Sequence, residues 1–460
     1  MIDDPTRPRL HLTVRSGWIN DPHGLTFHDG LYHVFAQHVP GVPPRWAPGI
    51  SWAHLTSPDL LAWTELPVAL VPGDGDGGVW SGSVVAPEGE PATLFYTSVD
   101  LDALDVGVAR VARPSDGSWT SWTKGETVAA LPADVPATTY RDPCLVRDGD
   151  AWWMLLGAGL ADGTATAVVH RSDDLRTWKY HGLLATRHTS VTEPLWTGEA
   201  WECPQLFPLG DRWVLVVSVW DREHGPRDEV YAVGTFVDGA FTAQSWGRWA
   251  YGPCYYAGSG FVDRDGRRGM VHWMRDVVDP AGEWAGAISL PHLLRLEGDR
   301  VVAEPHPDLA ARRGAAVVVG AGAGLAPGGA EGTGGGTEPV RIGAVCDIDW
   351  TLADASTAAE LLVTDPDGAE VLRLTVADGT LTATVVDVAV VAGAAASTAG
   401  AAPGTWTMPL LDGRLRVVLD GPVCEAFTSA GVLGVPVRAT SSDVLLTATG
   451  DATAVAHPLT

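Results

Sequence analysis

The sequence predicts an all-β fold, a five-bladed β-propeller followed by a β-sandwich, and three observations carry that expectation. Residues 10 to 300 read as short apolar strands separated by Gly, Asp and Pro turns, no long stretch keeps a helical period, and one strand-linked motif recurs. The chain of 460 residues, 46% hydrophobic, can bury a large core and fits two or three domains better than one.

Apolar runs of strand length occupy residues 31–35 (LYHVF), 92–96 (ATLFY), 151–156 (AWWMLL) and 213–217 (WVLVV). His28-Asp29-Gly30, Arg147-Asp148-Gly149 and Leu209-Gly210-Asp211 read as the turns between such runs. The repeat chooses among β architectures. Ser57-Pro58-Asp59-Leu60-Leu61-Ala62-Trp63 returns as Ser172-Asp173-Asp174-Leu175-Arg176-Thr177-Trp178, each time just after a strand-like run. Repeated units of several strands suggest a propeller. The copies lie too far apart for neighbouring blades of about 40 to 60 residues, so a diverged blade is expected between them, marked by Trp119-Thr120-Ser121-Trp122. Blades of that size give about five over residues 1–313. From 314 to 339 the composition collapses to Ala, Gly and Val, which reads as a linker or surface loop. Alternating runs at 371–376, 381–385 and 414–419 then place a sandwich over 340–460, with the Ala/Gly-rich stretch 389–404 as a loop inside it.

Charge and composition exclude several function classes. A formal charge of −26, from 56 acidic against 30 basic residues, repels nucleic acid and anionic membranes, so neither is an expected partner. The N-terminus lacks an apolar h-region after a basic start, and no 18-residue apolar run follows, so a soluble cytoplasmic protein is expected. Five scattered cysteines without CxxC spacing indicate neither a disulfide framework nor a zinc site. Trp is abundant, 20 against eight Phe, and an indole can pack in a core or stack on the apolar face of a sugar.

Three acidic motifs carry the candidate chemistry: Trp18-Ile19-Asn20-Asp21-Pro22-His23-Gly24, Tyr140-Arg141-Asp142-Pro143 and Trp201-Glu202-Cys203-Pro204. Glycosidic bonds are cleaved by paired carboxyls, one protonating the leaving oxygen and the other attacking the anomeric carbon or activating water. Partial burial of Glu202 between Trp201 and Cys203 would favour its protonated form, as an acid requires, while Asn20 and backbone N–H groups would stabilise an Asp21 anion, as a nucleophile requires.

These motifs resemble the WMNDPNG, RDP and EC boxes of glycoside hydrolase family 32, the β-fructosidases. Ser51-Trp52-Ala53-His54, Trp80-Ser81-Gly82-Ser83, residues 284–291 and Glu425-Ala426-Phe427 also look like segments of that family, in the same order. The resemblance implies a five-bladed propeller whose funnel holds the site, followed by a sandwich. It implies Asp21 as nucleophile in a covalent fructosyl-enzyme, Glu202 as acid and then base, and Asp142 as transition-state stabiliser. It places Asn20, Gln37, Trp46, Trp80, Ser81 and Arg141 around the fructosyl unit, with no metal or organic cofactor. Retention of configuration would set the Asp21 and Glu202 carboxyls about 5 to 5.5 Å apart. The expected substrate is sucrose or a short β-fructoside and the acceptor water. A fructosyltransferase, a levanase or inulinase, and a non-catalytic sugar-binding propeller are the alternatives. Nothing in the sequence speaks to oligomeric state.

The regular series His23, His28, His33, His38 raises the question of a metal site, but side chains alternate faces along a strand and Asp29-Gly30 turns the chain midway, so surface or loop histidines are expected for all but His23. Three departures stand out. His23 replaces the usual Asn and puts a titratable group beside the nucleophile; Gln205 and Ala250 stand where the family often has Asp.

Overall fold

The computed structural model describes residues 4–87, 89–115, 117–321, 338–386 and 404–460. Strands dominate, and the helical element among the described residues is one 3-10 stretch, Pro307–Arg312. No helix among the described residues is long and apolar enough to cross a membrane.

The chain folds as a five-bladed propeller followed by a β-sandwich. Blade I comprises Gly17–His28, Leu31–Val39, Ser51–Ser57 and Thr64–Glu65; blade II Gly78–Val85, Thr93–Asp100, Ala103–Pro114 and Trp122–Ala130. Blade III comprises Ala137–Asp148, Ala151–Leu160, Thr164–Ser172 and Lys179–His188; blade IV Ala200–Leu209, Arg212–Asp221, Gly225–Val237 and Ala240–Gly247. Blade V is built from Tyr255–Val262, Arg268–Val278, His292–Glu297 and Arg300–Pro305. Trp284–Ile288 pairs with Arg268–Val278 and, in parallel, with Gly17–His28, so the last blade is stitched to the first.

Second strands such as Leu31–Val39, Thr93–Asp100 and Arg212–Asp221 are buried almost throughout, because neighbouring blades cover both their faces. That is why they read as continuous apolar runs. The core lies between blades: Phe35, Trp52 and Tyr96 between I and II, Leu155, Trp201 and Val217 between III and IV. The recurring motif is a turn from third to fourth strand. In blade I Asp59 Oδ1 accepts the N–H groups of Leu61 and Ala62; in blade III Asp174 Oδ1 accepts those of Arg176 and Thr177. Leu60 and Leu175 adopt φ of 65° and 59° there, and Trp119 adopts 60° at the same place in blade II. The diverged copy therefore marks the intervening blade.

The sandwich packs a seven-stranded sheet on a six-stranded one. In the outer sheet, Ala359–Thr364 and Thr380–Val385 alternate buried and half-buried residues. In the inner sheet, Val423–Thr428 and Gly431–Pro436 are buried at every position, since one face meets the sandwich core and the other the propeller. Val418, Val423, Phe427 and Val432 share a core with Trp249, Tyr255, Met270 and Trp284 of the propeller. Within the stretch 314–339 expected as linker or loop, Val317–Ala321 forms instead an edge strand on Ala452–Pro458, because its three consecutive valines favour a pleated, half-buried surface. Residues 322–337, and all but the last residue of the stretch 389–404, lie outside the described residues.

Candidate active site

The innermost strand of each blade is interrupted at the same level. Register breaks fall at Asn20/Pro22 in blade I, Trp80/Gly82 in II, opposite Asp142 in III, Glu202/Gln205 in IV and Tyr256/Ser259 in V. Backbone φ is positive at Asp21 (27°), Asp142 (62°), Cys203 (45°) and Ala257 (51°). Such bulges re-aim side chains, and Pro22, Pro143 and Pro204, which lack an N–H for the ladder, stand at three of them. The result is three carboxyl groups from distant chain segments in one funnel.

That funnel is a cavity of about 510 Å³ lined by Asn20, Asp21, Gln37, Trp46, Trp80, Arg141, Asp142 and Glu202, with Ser81 directly behind Asp21. All nine residues singled out in the sequence therefore meet. Asp21 accepts three hydrogen bonds: from Ser81 Oγ at 2.7 Å, Asn20 Nδ2 at 2.9 Å and Gln37 Nε2 at 3.2 Å. Asn20 is itself oriented by Trp18 Nε1 and Gln37 Oε1, both at 2.9 Å. Asp142 Oδ2 accepts the Cys203 N–H at 2.9 Å, and the Cys203 Sγ sits 3.8 Å from Asp21 and 3.7 Å from Asp142. Glu202 is held at both oxygens, by Arg141 at 3.2 Å and by the Tyr256 hydroxyl at 2.6 Å. The Arg141 guanidinium lies 5.5 Å from the Trp80 ring centre, and its Nε has no hydrogen-bond partner among the described residues. Trp46 meets Trp80 edge-on at 6.1 Å, so both indoles serve the cavity wall as well as a small core.

The electrostatics reverse one expectation. Burial pushes Asp21 up to about 6, outweighing the hydrogen bond from Ser81, with the Glu202 charge adding to the rise and Asn20 opposing it. The sequence shows the polar neighbours that favour the anion but not the depth that opposes it. Asp142 is also raised, first by burial and then by Glu202, against the pull of Arg141.

His23 is corrected too. It is buried against Trp52, ring centres 3.8 Å apart, neither ring nitrogen has a hydrogen-bond partner among the described residues, and burial lowers it to about 3. It stays neutral where Asp21 titrates. His33 and His38 are buried strand residues rather than surface ones, because Leu31–Val39 is covered on both faces; His33 bonds His54 at 3.0 Å. Gln205 turns away from the carboxyls, accepting from the Gly260 N–H at 3.0 Å, and Ala250 belongs to a short strand paired with the sandwich.

Sequence reasoning missed Tyr256, the Cys203 amide and the mouth residues Asp105, Glu223, His224, Arg275 and Asp276. The aromatic pair Tyr255-Tyr256 after Cys254 was the one visible signal. Chemically, the funnel offers a hydrogen-bonded carboxyl able to attack, a second carboxyl gripped by an acid and a cation, and a third that can accept from hydroxyls.

The model of the Glycosyl hydrolases family 32 N-terminal domain matches residues 11–305, well over half of the chain. The chain belongs to glycoside hydrolase family 32. Among its family 32 relatives, the sucrose-6-phosphate hydrolase of Escherichia coli is 32% identical over 322 residues, covering 65% of this chain and 64% of that protein. The fructan 6-exohydrolase of Triticum aestivum is 33% identical over 347 residues, covering 64% of this chain and 55% of that protein. The matched region thus spans less than two thirds of either relative's length. In fold, the chain resembles a Bombyx mori family 32 beta-fructofuranosidase solved in complex with sucrose, with TM-score 0.81 and 22% identity over 99% of this chain and 94% of that one.

Proposed function

We propose that this protein is a retaining β-fructosidase that hydrolyses terminal β-D-fructofuranosyl linkages in sucrose or short fructooligosaccharides. The observation that carries this reading is the convergence of Asp21, Asp142 and Glu202 from three blades, with separate hydrogen-bond partners on each. Asp21, aligned by Ser81, Asn20 and Gln37, attacks the anomeric carbon to form a fructosyl-enzyme. Glu202 gives its proton to the leaving oxygen and then takes one from the incoming water. Burial first, and then the charge of Glu202, raises Asp21 and Asp142 and favours keeping a proton within the group, where the leaving oxygen can collect it. Asp142, in this scheme, accepts hydrogen bonds from fructosyl hydroxyls, and Arg141 holds Glu202 in place beside the substrate.

An uncharged leaving sugar fits the mouth, where Asp105, Glu223 and Asp276 stand against Arg275 and His224. We place the protein in the cytoplasm, where imported oligosaccharides would be its substrates. The test is a panel of sucrose, sucrose-6-phosphate, raffinose, kestose, inulin and levan with glucose and fructose measured separately. Release of fructose from none of them would overturn the proposal, and glucose in large excess over fructose at high sucrose would identify a transferase instead. Asp21→Ala and Glu202→Ala should each lower kcat by about 10³-fold or more with the fold intact.

A further inference from the structure

Two buried carboxylates of the sandwich reach into the propeller. Asp420 accepts the N–H groups of Arg9, Leu10 and His11 and a bond from His11 Nδ1, all at 2.8 Å. Glu425, fully buried on Val423–Thr428, takes the Tyr255 hydroxyl at 2.6 Å and His292 Nε2 at 3.0 Å on one oxygen. Its other oxygen takes His11 Nε2 at 3.0 Å and the Leu290 N–H at 3.2 Å. All four partners belong to the propeller.

Tyr255 leads straight to the reaction site. Successive residues of a strand point to opposite faces, so Tyr255 reaches back to Glu425 while Tyr256 reaches into the funnel and donates to Glu202. Tyr256 has a choice of acceptors: Glu202 at 2.6 Å and the Val219 carbonyl at 3.3 Å. The position of the strand decides which one it serves. Just beyond, the bulge is pinned by the Ala257 N–H on Ser218 Oγ at 3.0 Å and the Gly258 N–H on Glu229 at 2.7 Å. Tyr255 itself has little freedom, since even a Cβ on Gly434 would come within 2.6 Å of its ring.

We propose that Glu425 is a positioning residue for the fructosidase reaction, holding Tyr255 and thereby the Tyr256 hydroxyl on Glu202. This rests on the role given to Glu202 above. It also gives the sandwich a part in the chemistry without any sugar of its own. Charged or titratable groups facing Glu202 are Arg141, Asp21, Asp142, Cys203 and Tyr256; those facing Glu425 are His11, His292, Tyr255, Cys254 and Cys424, with the His272 ring tilted against His292.

The experiment is a double-mutant cycle read by the pH profile of kcat/KM, using Tyr256→Phe, Tyr255→Phe and Glu425→Gln. A carboxylate that loses a donated hydrogen bond holds its proton to higher pH, so Tyr256→Phe should move the basic limb up by about 0.5 to 1 unit. Tyr255→Phe and Glu425→Gln should move it the same way by a smaller amount, and neither should add to Tyr256→Phe in the double variant. If the limb stays at the wild-type position in Tyr255→Phe, or the shifts simply add, the proposal falls. Tyr255→Phe keeps the question open to test should Glu425→Gln fail to fold. If the wild type releases no fructose, that failure belongs to the functional reading. The positioning claim is then decided by a crystal structure of Tyr255→Phe, where the Tyr256–Glu202 distance should lengthen; a bond still at its wild-type length overturns it.

Discussion

Asp21 is half-buried on the funnel wall, and burial lifts its carboxyl to about 6 despite three donors. Attack needs the anion, so kcat/KM is expected to fall about tenfold per unit below about pH 6, the slope of a single proton. A profile flat from pH 7 to 4.5 would contradict the assignment. The same shift has a stability consequence of opposite benefit. A carboxyl raised in the folded state favours folding only while protonated, so its cost is absent below the unfolded value near 3.8 and grows as pH rises through about 6. Asp21→Asn should therefore melt at or above the wild-type temperature at pH 7.5, with the difference closing towards pH 4 in a thermal scan. The carboxyls themselves were legible in the sequence because proline and tryptophan frame them. Tyr256 was not, since a tyrosine on a strand reads as packing until its hydroxyl is seen on Glu202.

At the level of elements, the inner-strand bulge and the tight blade contact work together. A Cβ on Gly157 would lie 2.2 Å from the Trp201 carbonyl oxygen, next to the backbone that aims Glu202. Gly157→Ala should cost roughly 1 to 3 kcal/mol in stability by overpacking, and kcat should drop more than KM changes, because the acid is displaced. Urea unfolding and steady-state kinetics on one preparation would check both. The Asp174 turn predicts the reverse pattern: Asp174→Ala loses two backbone N–H bonds and should lower the urea midpoint slightly, while kcat stays at its wild-type value, since the turn lies on the outer side of blade III. Strands were easily read from their valine and tryptophan runs. Bulges were not, because one inserted residue leaves the composition of a strand unchanged. The Val317–Ala321 strand was hidden for another reason: its alanine and glycine neighbours outweighed three valines.

Over the whole molecule, propeller and sandwich are joined by charge as well as by apolar packing. Burial works against a charged His11, but its bonds to Asp420 and Glu425 prevail and raise it to about 9. A raised histidine contributes fully below its unfolded value of 6.5 and loses that contribution as pH climbs through 9. The melting temperature should therefore decline between about pH 7 and 10, and His11→Ala should be less stable than wild type at pH 6.5, with the gap narrowing at pH 10. Architecture at this scale was legible from the repeat and from the run of strands. The joint was not, because His11, His292, Asp420 and Glu425 look in the sequence like any surface charges, and only their convergence shows that none of them meets solvent.

The hold of Asp420 on residues 9–11 and the parallel pairing of Trp284–Ile288 with Gly17–His28 have a consequence for biosynthesis. Blades can form as the ribosome delivers them, yet the first must wait nearly 270 residues for the strand that secures its inner edge, and residues 9–11 wait some 410 for their partner. Pairings of such long separation form late. Until then the nascent propeller exposes the apolar face around Trp249, Met270 and Trp284 that the sandwich will cover, a period of sticky surface in which chaperones, rather than local stability, would keep the unfinished chain apart from its neighbours.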